Sequence, residues 1–210
     1  MDRCFIAGAG EYCGSYKPGA NDYIIAADGG YSALISRGIT PDIVVGDFDS
    51  LGQVLNHPNI ASHPADKDDT DMRLAINHGL ARGFKTFIID GGLGGRLDHT
   101  LANIQLLTYL AKNNAAGVLL GSDICITAIA NGKVRFSSGA SGRVSVFCVG
   151  DRAESVTIAR LKYQAQEATL TGDYPIGISN EFIGAGAEIS VRDGILIVTW
   201  ECGLSFLEGL

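Results

Sequence analysis

The sequence predicts an α/β N-terminal domain built on a mostly parallel sheet, followed by an all-β, sandwich-like C-terminal domain. Two observations carry that reading. Up to about residue 130, apolar runs alternate with helical patterns, which places helices on the faces of a parallel sheet. From Asn131 on, short alternating segments are separated by Gly, Asp, Asn and Ser, the pattern of antiparallel strands joined by turns. The expected division is 1–130 and 131–210, with no long linker, repeat or low-complexity tract between or within the two.

Taken in order, the strands of the first part are expected at 3–8, 23–27, 42–46, 86–90, 117–120 and 124–129, each a short apolar run. Helices are expected at 32–37, 70–82 and 98–113. In the second of these, Met72, Ala75, Ile76, Gly79 and Leu80 form an i, i+3, i+4, i+7, i+8 stripe. In the third, Leu97, Leu101, Ile104, Leu107 and Leu110 are expected to play the same part. Beyond residue 131, the alternations Val134/Phe136, Val144/Val146/Cys148, Val156/Ile158, Ile189/Val191 and Ile195/Ile197 mark strands with one buried face.

Composition narrows the function classes. The 210 residues suffice for one large or two small domains, and 46% hydrophobic with 19% charged residues describes an ordinary globular protein. A net charge of −7 speaks against nucleic-acid binding. No apolar stretch is long enough to span a bilayer, and the apolar run after Met1 is too short for a signal peptide. The five cysteines are scattered, odd in number and form no C-x-x-C, which points away from disulfides and zinc and toward a reducing cytoplasm. His57, His63, His78 and His99 have no metal-ligand spacing.

Four segments bring unusual polar residues to one rim, the carboxyl ends of the predicted strands, where open α/β sheets bind ligands. Asp28-Gly29-Gly30 follows the strand at 23–27; it reads either as a ligand-approaching turn or as a plain strand-to-helix turn. Asp42-Ile43-Val44-Val45-Gly46-Asp47-Phe48-Asp49-Ser50 is a β-branched run that stops at Gly46 and is followed by two carboxylates at i, i+2. In an extended chain these project to one side and suit a hard cation such as Mg²⁺. The alternative is a solvated loop whose Asp49 or Ser50 caps a helix. Asp66-Lys67-Asp68-Asp69-Thr70-Asp71 gathers four carboxylates in six residues at a helix start. Capping by Asp68 or Asp69 accounts for one of them, and a bound cation accounts for the crowd. Asp90-Gly91-Gly92-Leu93-Gly94-Gly95-Arg96-Leu97-Asp98-His99 is strand, Gly-rich loop, helix, a geometry suited to phosphate, with Arg96 as a bidentate phosphate ligand or, with Asp98, a surface ion pair. It is neither a Walker A loop nor G-x-G-x-x-G. Together the four describe a cleft for Mg-nucleotide chemistry.

The order of these motifs resembles thiamine pyrophosphokinase: Ala27-Asp28-Gly29-Gly30, Pro41-Asp42 with Gly46-Asp47-Phe48-Asp49-Ser50, Lys67-Asp68-x-Thr70-Asp71, then Gly95-Arg96-x-Asp98-His99. Ser179-Asn180-Glu181-Phe182 is similar to that family's Ser-Asn segment. The likeness is densest from about residue 26 to 136. It implies an α/β domain followed by a β-sandwich, a homodimer with its active site between one subunit's α/β domain and the other's sandwich, and a cytoplasmic enzyme. The implied reaction transfers the diphosphate of ATP to the hydroxyl of thiamine with Mg²⁺, giving thiamine diphosphate and AMP. Carried over by motif, Asp47, Asp49 and Asp71 form the metal and diphosphate site, and Thr70 and Arg96 contact phosphate. Asp98 orients Arg96 or the nucleotide, and Asp28, Gly29, Lys67 and Asp68 complete the ATP site. Ser179 and Asn180 help to hold thiamine. The chain departs from the animal members of that family, whose thiamine-stacking Trp position falls near Ile197; Trp200, an odd number of residues along, points to the opposite face and is not assigned to the site. Competing readings keep the reaction with a hydroxymethyl-pterin acceptor, take Asp47-Phe48-Asp49 as a glycosyltransferase D-x-D, or make the chain a non-enzymatic binding module.

Overall fold

The computed structural model describes residues 3–14, 16–46, 57–62, 69–201 and 203–208. In chain order the elements are β1 (Cys4–Ala7), β2 (Tyr23–Ala27), α1 (Gly30–Ser36), β3 (Ile43–Gly46), β4 (Ile60–Ser62), α2 (Asp71–Ala81), β5 (Thr86–Asp90), α3 (Leu97–Lys112), β6 (Ala116–Leu120), β7 (Cys125–Ala130), β8 (Lys133–Phe136), β9 (Arg143–Ala159), β10 (Ala165–Thr171), β11 (Asn180–Glu181), β12 (Ala187–Ser190), β13 (Asp193–Trp200) and β14 (Leu207–Glu208). A 3-10 turn at Leu204–Phe206 precedes β14. The protein is mostly sheet with few helices. It divides into two compact units, Met1–Leu106 with Leu119–Ser122, and Leu107–Val118 with Asp123–Leu210.

In the first unit the neighbours β5, β1, β2, β3 and β4 pair in parallel, in that spatial order. The pairings of β7 to β14 given by their register are antiparallel, so a mostly parallel sheet describes only this part of the described residues. The central strand β1 is wholly buried, as are Phe87, Ile88 and Ile89 of β5, so both read as continuous apolar runs. Helix α2 buries Met72, Ala75, Ile76 and Gly79. A Cβ at Gly79 would lie 2.6 Å from the Phe87 ring and 3.0 Å from Cys4 Sγ, so glycine is what lets the helix approach the sheet this closely. The cap of α2 is Thr70, whose hydroxyl accepts from the Arg73 N–H at 3.3 Å. Asp69, one of the two expected caps, instead lies 3.9 Å from Arg73, and Asp68 is outside the described residues. Strand β4 has no counterpart among the expected elements, because Ile-Ala-Ser is too short to show a period.

The stripe expected on α3 is corrected. Its buried positions are Asn103, Leu106, Leu107 and Leu110, whereas Leu97 is 71% and Leu101 54% exposed. At about 100° per residue, Leu97 and Leu101 sit roughly 120–160° around the helix from Asn103. The expected stripe joined two different faces.

The second unit contains two antiparallel sheets that share β9. The first part of this 17-residue strand pairs with β13 and β11, and its later part with β12 and β10. Gly150 and Ser155, both at positive φ, interrupt its regularity, and the register shifts between Asp193 and Ile195 opposite. The sequence showed this strand as two segments. Phe136 is the hub of the local core, edge-on to Phe182 at 5.0 Å and to Trp200 at 5.3 Å. Trp200 is 1% exposed and its indole N–H donates to the Gly203 carbonyl at 2.8 Å, so its role is structural.

Candidate active site

The carboxyl ends of β1, β2 and β5 open onto a cavity of about 420 Å³ within the first unit. Each wall follows from a strand that stops at glycine or aspartate. After β1 come Gly8, Ala9 and Gly10; after β2, Asp28; after β5, Gly91, Gly92, Gly94 and Gly95, leading to Arg96 and His99; and Thr70 and Asp71 stand at the start of α2. Three of the four rim segments singled out from the sequence thus line the cavity, and the segment at 42–50 contributes no lining residue among the described ones.

Asp28 holds a left-handed backbone at φ 44°, an uncommon conformation that aspartate tolerates better than most residues, and its N–H donates to Val45 at 2.9 Å. Gly46, the last residue of β3, packs against it: a Cβ there would lie 3.3 Å from Asp28 Cα. The next residue in the chain is Asp47. Asp47, Asp49, Lys67 and Asp68 lie outside the described residues. Asp71 is half-buried at the first turn of α2, and Gly29 precedes α1 without lining the cavity. Arg96 and Asp98 form a two-pronged pair, Nη2 to Oδ2 at 2.5 Å and Nε to Oδ1 at 3.2 Å, and both are well exposed. That hydrogen bonding pulls the Asp98 carboxyl below its ordinary range and raises the Arg96 guanidinium. Arg96 lines the cavity and Asp98 braces it from outside.

Ser179 and Asn180 belong to the second unit. Ser179 is exposed at φ 59°, and its N–H donates to Ser145 Oγ at 3.0 Å. Asn180 is 4% exposed and its amide is committed to the backbone. Oδ1 accepts from Tyr163 N at 2.9 Å and from Glu181 N at 2.9 Å, and Nδ2 donates to the Tyr163 carbonyl at 2.6 Å. Any part Asn180 has in binding acts through the segment it fixes.

Several residues of this region were not singled out from the sequence. Asn103, 8% exposed, donates to the Gly92 carbonyl at 2.7 Å and so fixes the β5 loop. Tyr12 and Arg37 lie behind the loops against Asp90, which the sequence marked only as the start of the fourth segment and which is fully buried at the end of β5. Burial pushes the Asp90 carboxyl up, and N–H donors from Cys13 and Gly91 together with Arg37 pull it back. The one readable signal was Ala7-Gly8-Ala9-Gly10, a strand ending in glycines.

The carboxylates of Asp28 and Asp71 are hard oxygen donors beside a Gly-rich loop. That donor chemistry fits Mg²⁺ with phosphate oxygens. Among the described residues no group of three His, Cys, Asp or Glu is assembled for a metal, and no helix is long and apolar enough to cross a membrane.

Comparison with known proteins agrees with this geometry. Residues 19–119 match the family model described as "Thiamin pyrophosphokinase, catalytic domain", and residues 133–196 match "Thiamin pyrophosphokinase, vitamin B1 binding domain". A thiamine pyrophosphokinase of Bacillus subtilis is 30% identical over 181 residues, covering 83% of this chain and 85% of the relative. A crystal structure of thiamine pyrophosphokinase from Bacillus subtilis superposes with a TM-score of 0.85 at 26% identity, covering 97% of this chain and all of that one. One of a thiamin pyrophosphokinase family protein from Enterococcus faecalis superposes with a TM-score of 0.80 at 27% identity, with the same coverage. The chain therefore belongs to the thiamin pyrophosphokinase family, enzymes that form thiamine diphosphate from thiamine and ATP.

Proposed function

We propose that this family's reaction takes place at the cavity of the first unit, with the residues of the four motifs in the following roles. The observation that carries the proposal is the convergence of Asp28, Asp71, Thr70 and Arg96 on one Gly-rich cavity at the strand ends. The thiamine hydroxyl oxygen attacks the β-phosphorus of ATP, the bond from that phosphorus to the α-phosphate oxygen breaks, AMP leaves, and the hydroxyl proton passes to a base. Asp71 is positioned to accept that proton or to ligate metal. Asp47, Asp49 and Asp71 would hold Mg²⁺, which when bound supplies neutralisation of the phosphate charge. Thr70 and Arg96 contact phosphate, and Asp98, which takes the Nε/Nη2 edge of Arg96, holds the guanidinium in one orientation so that its remaining N–H groups meet phosphate without first being ordered. Asp28, Gly29, Lys67 and Asp68 complete the nucleotide site. Ser179, in the segment braced by Asn180, meets thiamine. On this reading 1–130 is the ATP and metal domain and 131–210 the thiamine-binding and dimerisation domain, in a cytoplasmic protein.

The test follows the label. Incubation with Mg-ATP and thiamine should yield AMP, with β-labelled phosphate recovered in thiamine diphosphate. ADP with thiamine monophosphate would make the chain an ordinary kinase, and turnover only with a hydroxymethyl-pterin would move the acceptor.

We further propose a homodimer that shares its sites. Tyr174, Ile176, Ile178 and Ile183 are each more than half exposed around Ser179, and Leu97 and Leu101 are exposed around Arg96 and Asp98. Apolar surface beside both sets of site residues is what a two-fold partner would cover. Asp71→Asn and Ser179→Lys subunits, each inactive alone, should regain roughly a quarter of wild-type turnover after random exchange, because half the dimers are mixed and one of their two sites is intact. A mixture that stays inactive while exchange is demonstrated would place the whole site in one chain.

A further inference from the structure

Behind the cavity wall lies a cluster centred on Asp90, the first residue of the fourth segment, with partners that no motif in the sequence pointed to. Asp90 is fully buried at the end of β5, and its Oδ1 accepts from Cys13 N at 2.8 Å and from Gly91 N at 3.1 Å. Its Oδ2 faces Arg37 Nη1 at 3.5 Å. Arg37, just past α1, donates through Nη2 to the Tyr16 carbonyl at 2.8 Å and stacks over the Tyr12 ring at 5.3 Å. The Tyr12 hydroxyl donates in turn to the Gly8 carbonyl.

These contacts join the two glycine loops that wall the cavity. Their backbones are already laced by Gly8 N to Asp90 O at 2.8 Å, Gly10 N to Gly91 O at 2.7 Å and Glu11 N to Leu93 O at 2.8 Å. The fit leaves no slack. A Cβ at Gly91, which sits at φ 73°, would lie 2.6 Å from the Gly8 carbonyl and 2.9 Å from the Tyr12 ring. A buried carboxylate and a guanidinium with only a quarter of its side chain exposed are costly to bury apart and are held together here by several hydrogen bonds. Nothing in the cluster lines the cavity, so its effect on ligand must pass through the loops.

We propose that Asp90, Arg37 and Tyr12 are positioning residues that set the spacing of the Gly8–Gly10 and Gly91–Gly95 loops for the phosphates of ATP, an inference that rests on the reading of this cavity as the nucleotide site. Loop backbone that contacts phosphate throughout the reaction contributes equally to ground and transition states, so loosening it raises KM for ATP and leaves kcat nearly unchanged. Thiamine, held elsewhere, is unaffected.

The experiment measures steady-state constants for both substrates in the full-length protein. Arg37→Gln leaves the Asp90 charge buried without its partner and is expected to raise KM for Mg-ATP about tenfold, with kcat and KM for thiamine within twofold of wild type. Arg37→Gln/Asp90→Asn, which removes both charges, should bring KM for Mg-ATP back to within about threefold of wild type, a rescue that simple loss of packing would not give. Tyr12→Phe deletes only the hydroxyl and should raise KM for Mg-ATP about threefold; it covers the case in which Arg37→Gln fails to fold. Unchanged KM for Mg-ATP in Tyr12→Phe, or equal shifts of kcat and both KM values in the variants that fold, would overturn the proposal. Wild-type protein run alongside separates the two levels: absence of AMP there rejects the nucleotide reading, whereas normal wild-type turnover with unmoved variants rejects only the role of the cluster.

Discussion

Asp71→Asn is expected to lower turnover of Mg-ATP and thiamine by at least about 100-fold, the range associated with loss of a positioned general base or a metal-held carboxylate. The substitution keeps the shape of the side chain and removes its charge. Folding should change little: Thr70, not Asp71, caps α2, and loss of a carboxylate from the first helical turn costs on the order of 0.3–1 kcal/mol. Asp71 is half-buried on the cavity, so its charge is screened less than that of an exposed group. On the proposed metal site Asp47→Asn and Asp49→Asn should behave alike, since each replaces a carboxylate by a neutral amide that is a poor Mg²⁺ ligand. Asp69→Asn is the control, because Asp69 is exposed and pairs with Arg73 rather than lining the cavity. The measurement is AMP release across a Mg²⁺ titration with circular dichroism to confirm the fold. Activity within threefold of wild type at limiting Mg²⁺ would remove Asp71 from the site.

Asn180→Ala should destabilise the second unit, so any loss of activity in it reports on the fold before it reports on thiamine. The change deletes three hydrogen bonds in a site that is 4% exposed and strands the N–H and carbonyl of Tyr163 and the N–H of Glu181. An unsatisfied backbone group costs about 1–3 kcal/mol when water cannot reach it, and because Tyr163 and Glu181 are themselves exposed and water replaces part of the loss, a total of roughly 2–4 kcal/mol is expected for the three. For a chain of this size that lowers Tm on the order of 5–10 °C. Ser179→Ala, in contrast, removes an exposed hydroxyl and leaves the bond from its own N–H to Ser145, so Tm should move by less than about 2 °C. Thermal unfolding of the two variants decides the matter. A Tm of Asn180→Ala equal to wild type would mean that the amide bonds to the Tyr163 backbone carry no stability and that Asn180 is available to ligand.

The parts of the fold that were legible in the sequence are those in which one residue pattern has one physical solution. Runs such as Cys4–Ala7 and Thr86–Asp90 are apolar on both faces because both faces of those strands are covered, and each observed boundary lies within a residue or two of the expected one. The stripe of α2 was legible because four of its five members are buried on one face. On α3 the same reasoning failed. A helix rich in leucine offers several stripes, and only packing selects among them, so Leu97 and Leu101 read as core and stand exposed. The long strand β9 was hidden because Gly150 and Ser155 look like loop punctuation where they break a strand's regularity.

The candidate site divides in the same way. Aspartates and glycines placed just after apolar runs each allow a plain turn or cap as well as a ligand site, but their order along the chain identified the family. Tertiary structure alone decided which residues support that rim. Asp90 opens the fourth segment in the sequence without a role of its own, and Arg37 and Tyr12 lie 53 and 78 positions before it; a folded sheet is required to bring them to one buried cluster. Asn180 reads as a ligand-binding amide and is consumed by the backbone of Tyr163, since hydrogen-bond partners 17 residues apart are set by strand register. Residue type fixes what a side chain is able to do, and the long-range packing that buries or exposes it fixes what it does.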